Sequence, residues 1–116
     1  MTATDYLVWG GMIHLVIDWL FQNDWIARNK SRLDHPASWV HSLAHACALS
    51  PLFGTDMAFV VGAIHLLIDT RVPLGWWSRV FRQTRTGDVS LHVAIWSDQV
   101  LHLLVLAIAA LILGRR

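Results

Sequence analysis

"MIHLVIDWLFQNDW", residues 12–25, reads as part of a membrane-crossing helix, yet it carries His14, Asp18 and Gln22 at intervals of four. Steps of four return to the same stripe of a helix. A histidine, a carboxylate and an amide therefore line up on a surface otherwise built from Ile, Leu, Val, Trp and Phe. Ionisable groups in an apolar medium are costly unless paired, so the stripe demands partners from elsewhere in the chain.

The other apolar segments supply them. "HSLAH" spaces His41 and His45 by four, "HLLID" does the same for His65 and Asp69, and "DQVLH" for Asp98 and His102, with Gln99 next to Asp98. The apolar runs around these pairs define four spans, at about 4–22, 37–53, 57–70 and 89–113. Asp34 and Pro36 are the expected cap and first-turn proline of span two, and Thr55 or Asp56 the cap of span three. Spans two and three fall short of the roughly 20 residues of a full crossing, which suits a helical hairpin in a tilted or thinned region. Core helices of a soluble bundle are the alternative. The expected fold is all-α: a four-helix transmembrane bundle forming one domain over residues 1–116.

Between spans three and four, "PLGWWSRVFRQTRTGD" places Leu74, Trp77, Val80 and Phe81 on one helical face, with Arg79, Arg82 and Arg85 elsewhere. That is the pattern of a short amphipathic helix lying among lipid headgroups; a plain basic loop is the alternative.

Composition points the same way. Of 116 residues 55% are hydrophobic, seven are Trp and none is Glu, and the mean hydropathy is +0.47. A soluble helical bundle would normally carry Glu–Lys pairs on its outer faces. The net charge of +1 leaves no basic face for nucleic acid. Cys47 is single, which excludes an intrachain disulfide. No basic residue precedes the first apolar run, so that span is expected to stay in the mature protein. Arg28, Lys30 and Arg32 follow span one, and Arg71, Arg79, Arg82 and Arg85 follow span three, against Arg115 and Arg116 on the other side. The positive-inside rule then puts both large loops in the cytoplasm and both termini outside, with Trp25, Trp39, Trp76 and Trp77 as an aromatic belt.

Because the spans alternate in direction, the order within each polar pair matters. Counted from the cytoplasmic ends, Asp18, His41, Asp69 and Asp98 form a shallow layer, and His14, His45, His65 and His102 lie one turn deeper. Imidazole and carboxylate without thiolate suit one or two divalent transition ions such as Zn, Mn or Fe. Bundles with inward ligands on every helix build such sites. Gln22 and Gln99 would orient the ligands from behind. Alternatives are a metal-free His–Asp network fixing helix register, a b-type haem on two deep histidines, and an ion or proton pathway. His35, His92 and Cys47 read as peripheral, and Gly10 and Gly11 as points of close helix packing.

Together, "HLVIDWLFQNDWIARNK", "HSLAHA", "HLLIDT" and "SDQVLH" resemble an uncharacterised family of small bacterial and phage-borne integral membrane proteins that carry a domain of unknown function. "HSLAH" and "HLLID" also resemble bacterial inner-membrane proteins grouped as membrane-bound metal-dependent hydrolases. The resemblance implies a multi-pass inner-membrane protein and a metal hydrolase. The expected activity is hydrolysis of a lipid or lipid-linked substrate at the cytoplasmic leaflet, with Asp24 or Asp98 as the base. Arg28, Lys30, Arg79 and Arg82 would hold an anionic headgroup or phosphate. A non-enzymatic metal- or haem-holding subunit of a membrane complex, a homo-oligomer included, and an ion-conducting protein are the rival expectations.

Overall fold

Thr2 starts the first helix. Its hydroxyl accepts the Asp5 backbone N–H at 3.2 Å, while the Asp5 carboxylate accepts the Thr2 backbone N–H at 2.8 Å. This reciprocal box satisfies donors that a helix start leaves open. It launches α1, Ala3–Leu15, which runs on without a break into a π-helical turn, Val16–Leu20. A computed structural model describes residues 1–84 and 86–116. In chain order there follow α2 (Asp24–Asn29), α3 (Pro36–Phe53), α4 (Thr55–Asp69), α5 (Val72–Val80) and α6 (Gly87–Leu113). Among the described residues there is no strand.

The chain is all-helical, and its long helices form a square. α1 packs on α3 and α6, and α4 packs on the same two. Tyr6 meets Phe53 edge-on with ring centroids 6.0 Å apart. A Cβ on Gly114 would lie 2.7 Å from the Ala3 nitrogen. Both termini and the α3–α4 turn therefore share one end of the bundle. The short helices α2 and α5, and with them Arg28, Lys30, Arg71 and Arg79, occupy the other.

The interior is divided along its length. At the terminal end Leu49, Phe53, Ala58, Val61, Leu106 and Leu113 make an apolar core. At the basic end the buried polar side chains are histidine, aspartate, glutamine and serine, with Ile26, Ala37 and Ile68 buried beside them. The exterior reverses the usual arrangement: Trp9, Trp19, Leu20, Phe21, Trp96 and Ile108 are each more than half exposed.

Several local expectations change. Among the described residues, α6 alone qualifies as a membrane span by length and composition, and α4 and α5 qualify together only as a pair bent by 57°. The shortfall is physical: α1 has 13 residues and α4 has 15, and α3 carries two histidines and Pro51. Span one keeps helical hydrogen bonding to Leu20 rather than Gln22. The loop after it contains α2, capped by Asn23 Oδ1 accepting the Ile26 N–H at 2.9 Å. The cap of α3 is His35, whose Nδ1 accepts the Ala37 N–H at 3.1 Å. Asp34 instead pairs with Arg32 at 3.0 Å, and that guanidinium holds its carboxyl below the usual carboxylate range. Neither Thr55 nor Asp56 caps α4; Gly54, at φ 82°, makes the turn. The segment after span three is a helix, with Phe81 just past its end and stacked on Trp77 at 4.0 Å. Arg85 lies outside the described residues.

Gly62 sets the closest helix approach. A Cβ there would sit 2.9 Å from the Ala46 Cβ and 3.2 Å from the Ser42 carbonyl oxygen. Gly62→Leu should therefore lower stability by about 1–3 kcal/mol, read as a drop in thermal midpoint in detergent. Gly75→Ala, which would meet only the flexible end of Arg79, at 3.6 Å, should hold or raise the midpoint.

Candidate metal centre

The π-helical turn presents Asp18, and Asp18 gathers three other helices. Its Oδ1 accepts His41 Nε2–H at 2.9 Å and His45 Nε2–H at 3.3 Å, both from α3, with His65 Nε2 of α4 at 3.9 Å. Its Oδ2 accepts the Gln99 amide of α6 at 2.8 Å. The same amide donates to Asp98 Oδ2 at 3.2 Å, and Gln99 Oε1 accepts His14 Nε2–H at 3.1 Å. Asp18 and all five of these histidines (His14, His41, His45, His65 and His102) are at most 3% exposed. The rings of the deep group touch: His45 and His65 are 3.8 Å apart between centroids, His65 and His102 4.2 Å, and His14 and His102 5.0 Å.

Asp69 is bound differently. His65 Nε2 lies 2.9 Å from its Oδ2 and His102 Nε2 lies 3.4 Å from its Oδ1. None of these four atoms makes a hydrogen bond, although all are buried. His102 shows why. Its Nδ1–H donates to the Asp98 carbonyl at 2.7 Å, so in the neutral ring Nε2 holds a lone pair, not a proton. That lone pair faces a carboxylate oxygen. The contact is repulsive unless a proton or a metal cation lies between them. Metal–ligand bonds of about 2.0–2.2 Å in a tetrahedron separate neighbouring ligand atoms by roughly 3.3–3.6 Å, which matches the 3.4 Å His102–Asp69 spacing and is wider than the 2.9 Å His65–Asp69 one.

Two overlapping donor sets result, Asp18–His41–His45–His65 and His65–Asp69–His102, each with its ligand atoms within 4.8 Å of one another. These buried groups could hold a metal ion. The Nδ1-to-carbonyl bond of His102 is the outer contact that usually orients an imidazole ligand. A haem does not fit: the gap lined by His14, His45, His65 and His102 is about 10 Å³, roughly the room of one water.

The remaining candidates lie around this core. Asp98, expected in the shallow ligand layer, stands at its edge with its side chain 19% exposed and its Oδ2 3.6 Å from His102 Nδ1. Gln99 takes the inward position: Asp98 and Gln99 both lie within a turn of His102, and the rotation of α6 turns Gln99 into the cluster and leaves Asp98 at its edge. Gln22 is half-buried, and its Oε1 is buried without a partner. Asp24 is exposed in the first turn of α2 and joins none of the cluster's bonds. Arg28, Arg79 and Arg82 are exposed, whereas Lys30 is half-buried, with its charge acting on Asp18, Asp69 and Asp98. Asp98 also lines a cavity of about 380 Å³ between α5 and α6, together with Arg71, Ser78, Ser90 and Ser97.

The chain belongs to a family described as "Protein of unknown function (DUF3307)", which matches residues 11–115. No curated protein and no solved structure matches it.

Asp18→Asn keeps the shape of the hub and one acceptor oxygen, but it removes the charge and sets an amide donor against either the His41 and His45 Nε2–H groups or the Gln99 amide. Breaking a buried, paired charge is worth roughly 3–5 kcal/mol, so this variant should melt far below the parent chain or fail to accumulate. Asp24→Asn should leave the midpoint unchanged. Equal melting of the two variants would remove Asp18 from its central place.

Proposed function

For this member of a family of unknown function, we propose a membrane-embedded, metal-dependent hydrolase that acts on a lipid or lipid-linked substrate at the basic end of the bundle. One observation carries the metal: His65 Nε2, His102 Nε2 and both Asp69 oxygens are buried together without a well-aligned hydrogen bond, and the Nδ1–H bond of neutral His102 turns its Nε2 lone pair toward the carboxylate. With no Lys or Arg buried among them, a bound cation is the simplest way to neutralise that carboxylate. Zn, Mn and Fe suit the donor set, with one ion at the Asp69 group; a second would have to be held by Asp18, His41 and His45 without His65, whose single Nε2 lone pair serves one ion. A divalent ion there supplies Lewis acidity toward a carbonyl or phosphoryl oxygen.

The protein's own residues account for the rest. Asp98 is the carboxylate that touches both the buried cluster and the open cavity, which suits it to accept a proton from a nucleophile. Gln99 ties Asp98 to Asp18 and so fixes its position. Asp24 has no comparable contact, and the role of base passes to Asp98 alone. Near-complete burial of the ligands favours a second reading, a metal-holding subunit of a larger membrane complex or homo-oligomer. Ion conduction is the weaker alternative, because Leu49, Phe53, Leu106 and Leu113 fill the other half of the interior.

Membrane embedding is supported by the polar interior and apolar exterior, including the exposed tryptophans. On this reading all four long helices cross or enter the bilayer, as a bacterial inner-membrane protein with α2 and α5 on the cytoplasmic side. A single Cys introduced between positions 28 and 32, in a Cys47→Ala background, should then resist an impermeant thiol reagent in intact cells. Labelling there would reverse the orientation.

Untagged protein purified without added metal should contain one or two transition ions per chain by elemental analysis, without a Soret band. Asp69→Asn and His102→Ala should each lose about one ion, and Gln99→Ala should weaken retention roughly 10- to 100-fold. A metal-free chain whose melting point ignores both chelator and added Zn would overturn the metal centre and leave a protonated His–Asp network.

A further inference from the structure

The cavity beside Asp98 does not end at its polar walls. It shares Leu74, Gln83, Val93 and Ser97 with a second, apolar groove of about 680 Å³. That groove runs between α5 and α6 over Trp77, Trp96, Val100 and Leu104, all more than 40% exposed, and it opens on the outer surface. Polar cavity and apolar groove are thus one amphipathic cleft. Both volumes fall within the roughly 300–1,000 Å³ of ordinary small-molecule sites.

The chemistry of the polar part is asymmetric. Arg71 stands at the corner between α4 and α5, held in the left-handed region at φ 64°, and makes no ion pair among the described residues. Asp98 faces the cavity from α6. Ser78 and Ser90 spend their hydroxyl protons on the carbonyls of Gly75 and Gly87, at 3.0 and 2.6 Å, so toward a ligand they present acceptor oxygens. One cation, a carboxylate and acceptor hydroxyls suit a headgroup with one anionic group and one hydroxyl or ester, but not a polyanion. Guanidinium binds phosphate through paired, charge-assisted hydrogen bonds.

We propose that the α5–α6 cleft binds a single-chain phosphate lipid, its phosphate on Arg71, its hydroxyl or ester toward Asp98 and its alkyl chain along Trp77, Trp96 and Val100. This names the substrate class of the hydrolase proposed above and rests on that reading for the chemistry, though not for the binding. Arg71 replaces Arg79 and Arg82 as the anion-binding residue, since neither of those lines the cavity. Entry is lateral, because the groove faces the side of the bundle and the polar cavity lies behind it.

The test uses the full chain in a nonionic detergent. The probe is hexadecyl phosphate with a photoactivatable diazirine in its chain, and the matching hexadecanol and inorganic phosphate serve as controls. Labelling mapped by mass spectrometry should fall saturably on the α5 and α6 residues of the groove. Arg71→Gln should weaken it about tenfold, as expected for one charge-assisted contact. Val100→Trp, a surface change that fills the groove, should displace the probe while the chain stays folded. Inorganic phosphate should compete only weakly. Equal, diffuse labelling by hexadecanol over the outer faces of α1 and α3, or indifference to Arg71→Gln, overturns the cleft. Competition by inorganic phosphate as strong as by the lipid overturns the lipid assignment. Metal content of the same samples separates the two readings: metal without groove labelling removes the cleft, and groove labelling without metal removes the hydrolase.

Discussion

A buried carboxylate, with no Lys or Arg buried among the described residues, is the constraint on which this bundle depends. Asp18 is 2% exposed, and the effective penalty for taking such a charge out of water is several kcal/mol. Donors must therefore come to it from other helices, and they do: His41 and His45 from α3 and the Gln99 amide from α6. This fixes more than a contact. Asp18 lies beyond the end of α1, His41 near the start of α3 and Gln99 in the interior of α6, so the helices must run antiparallel and in one register to meet. The π-helical turn at Val16–Leu20 belongs to the same constraint, since it lies where Asp18 enters the cluster, and such turns often mark functional positions.

The division of the interior follows from that meeting point. The apolar half holds the helices by ordinary packing, with Gly62 letting α4 approach Ala46 and Gly10 lying under the Phe53 ring. The polar half needs that scaffold, because His–Asp contacts specify geometry better than they stabilise it. α6 is 27 residues long against 15 for α4, and its excess extends past the cluster on the basic side. There α5 folds back against it after the 57° bend from α4. A cleft arises where a long helix outruns its neighbours, and Asp98 lies where cleft and cluster join.

Much of this was legible in spacing. Pairs at i, i+4 on alternating helices are enough to bring His14, His45, His65 and His102 to one level, and the rings do touch there. Helix ends were less legible. His35 caps α3 although Asp34 is the better cap by type, because Asp34 is taken by Arg32 two residues away. The choice between Asp98 and Gln99 was hidden for a different reason. Adjacent residues both fall within reach of His102, and only the rotation of α6 against α1 decides which one points inward. Spacing also gives no sign of Arg71, whose place in the cavity depends on the bend between α4 and α5. Span length is the least legible feature: α1, α3 and α4, which carry polar stripes, fall short of a simple span in length or apolarity, although their outer faces are apolar.

The two buried carboxylates are not equivalent, and the difference assigns them different work. Asp18 has its oxygens filled by His41, His45 and Gln99, so it is already neutralised in part by hydrogen bonding and needs no ion to be held in place. Neither Asp69 oxygen makes a well-aligned hydrogen bond: two imidazole nitrogens lie at 2.9 and 3.4 Å, and that of neutral His102 offers a lone pair, not a proton. A network meant only to fix helix register would have no reason to satisfy one carboxylate and starve the other, since the unsatisfied one carries the full desolvation penalty. The imbalance makes sense if Asp18 organises the helices and Asp69 waits for a cation. His65 lies between them, in reach of both donor sets, and so links the organising carboxylate to the binding one.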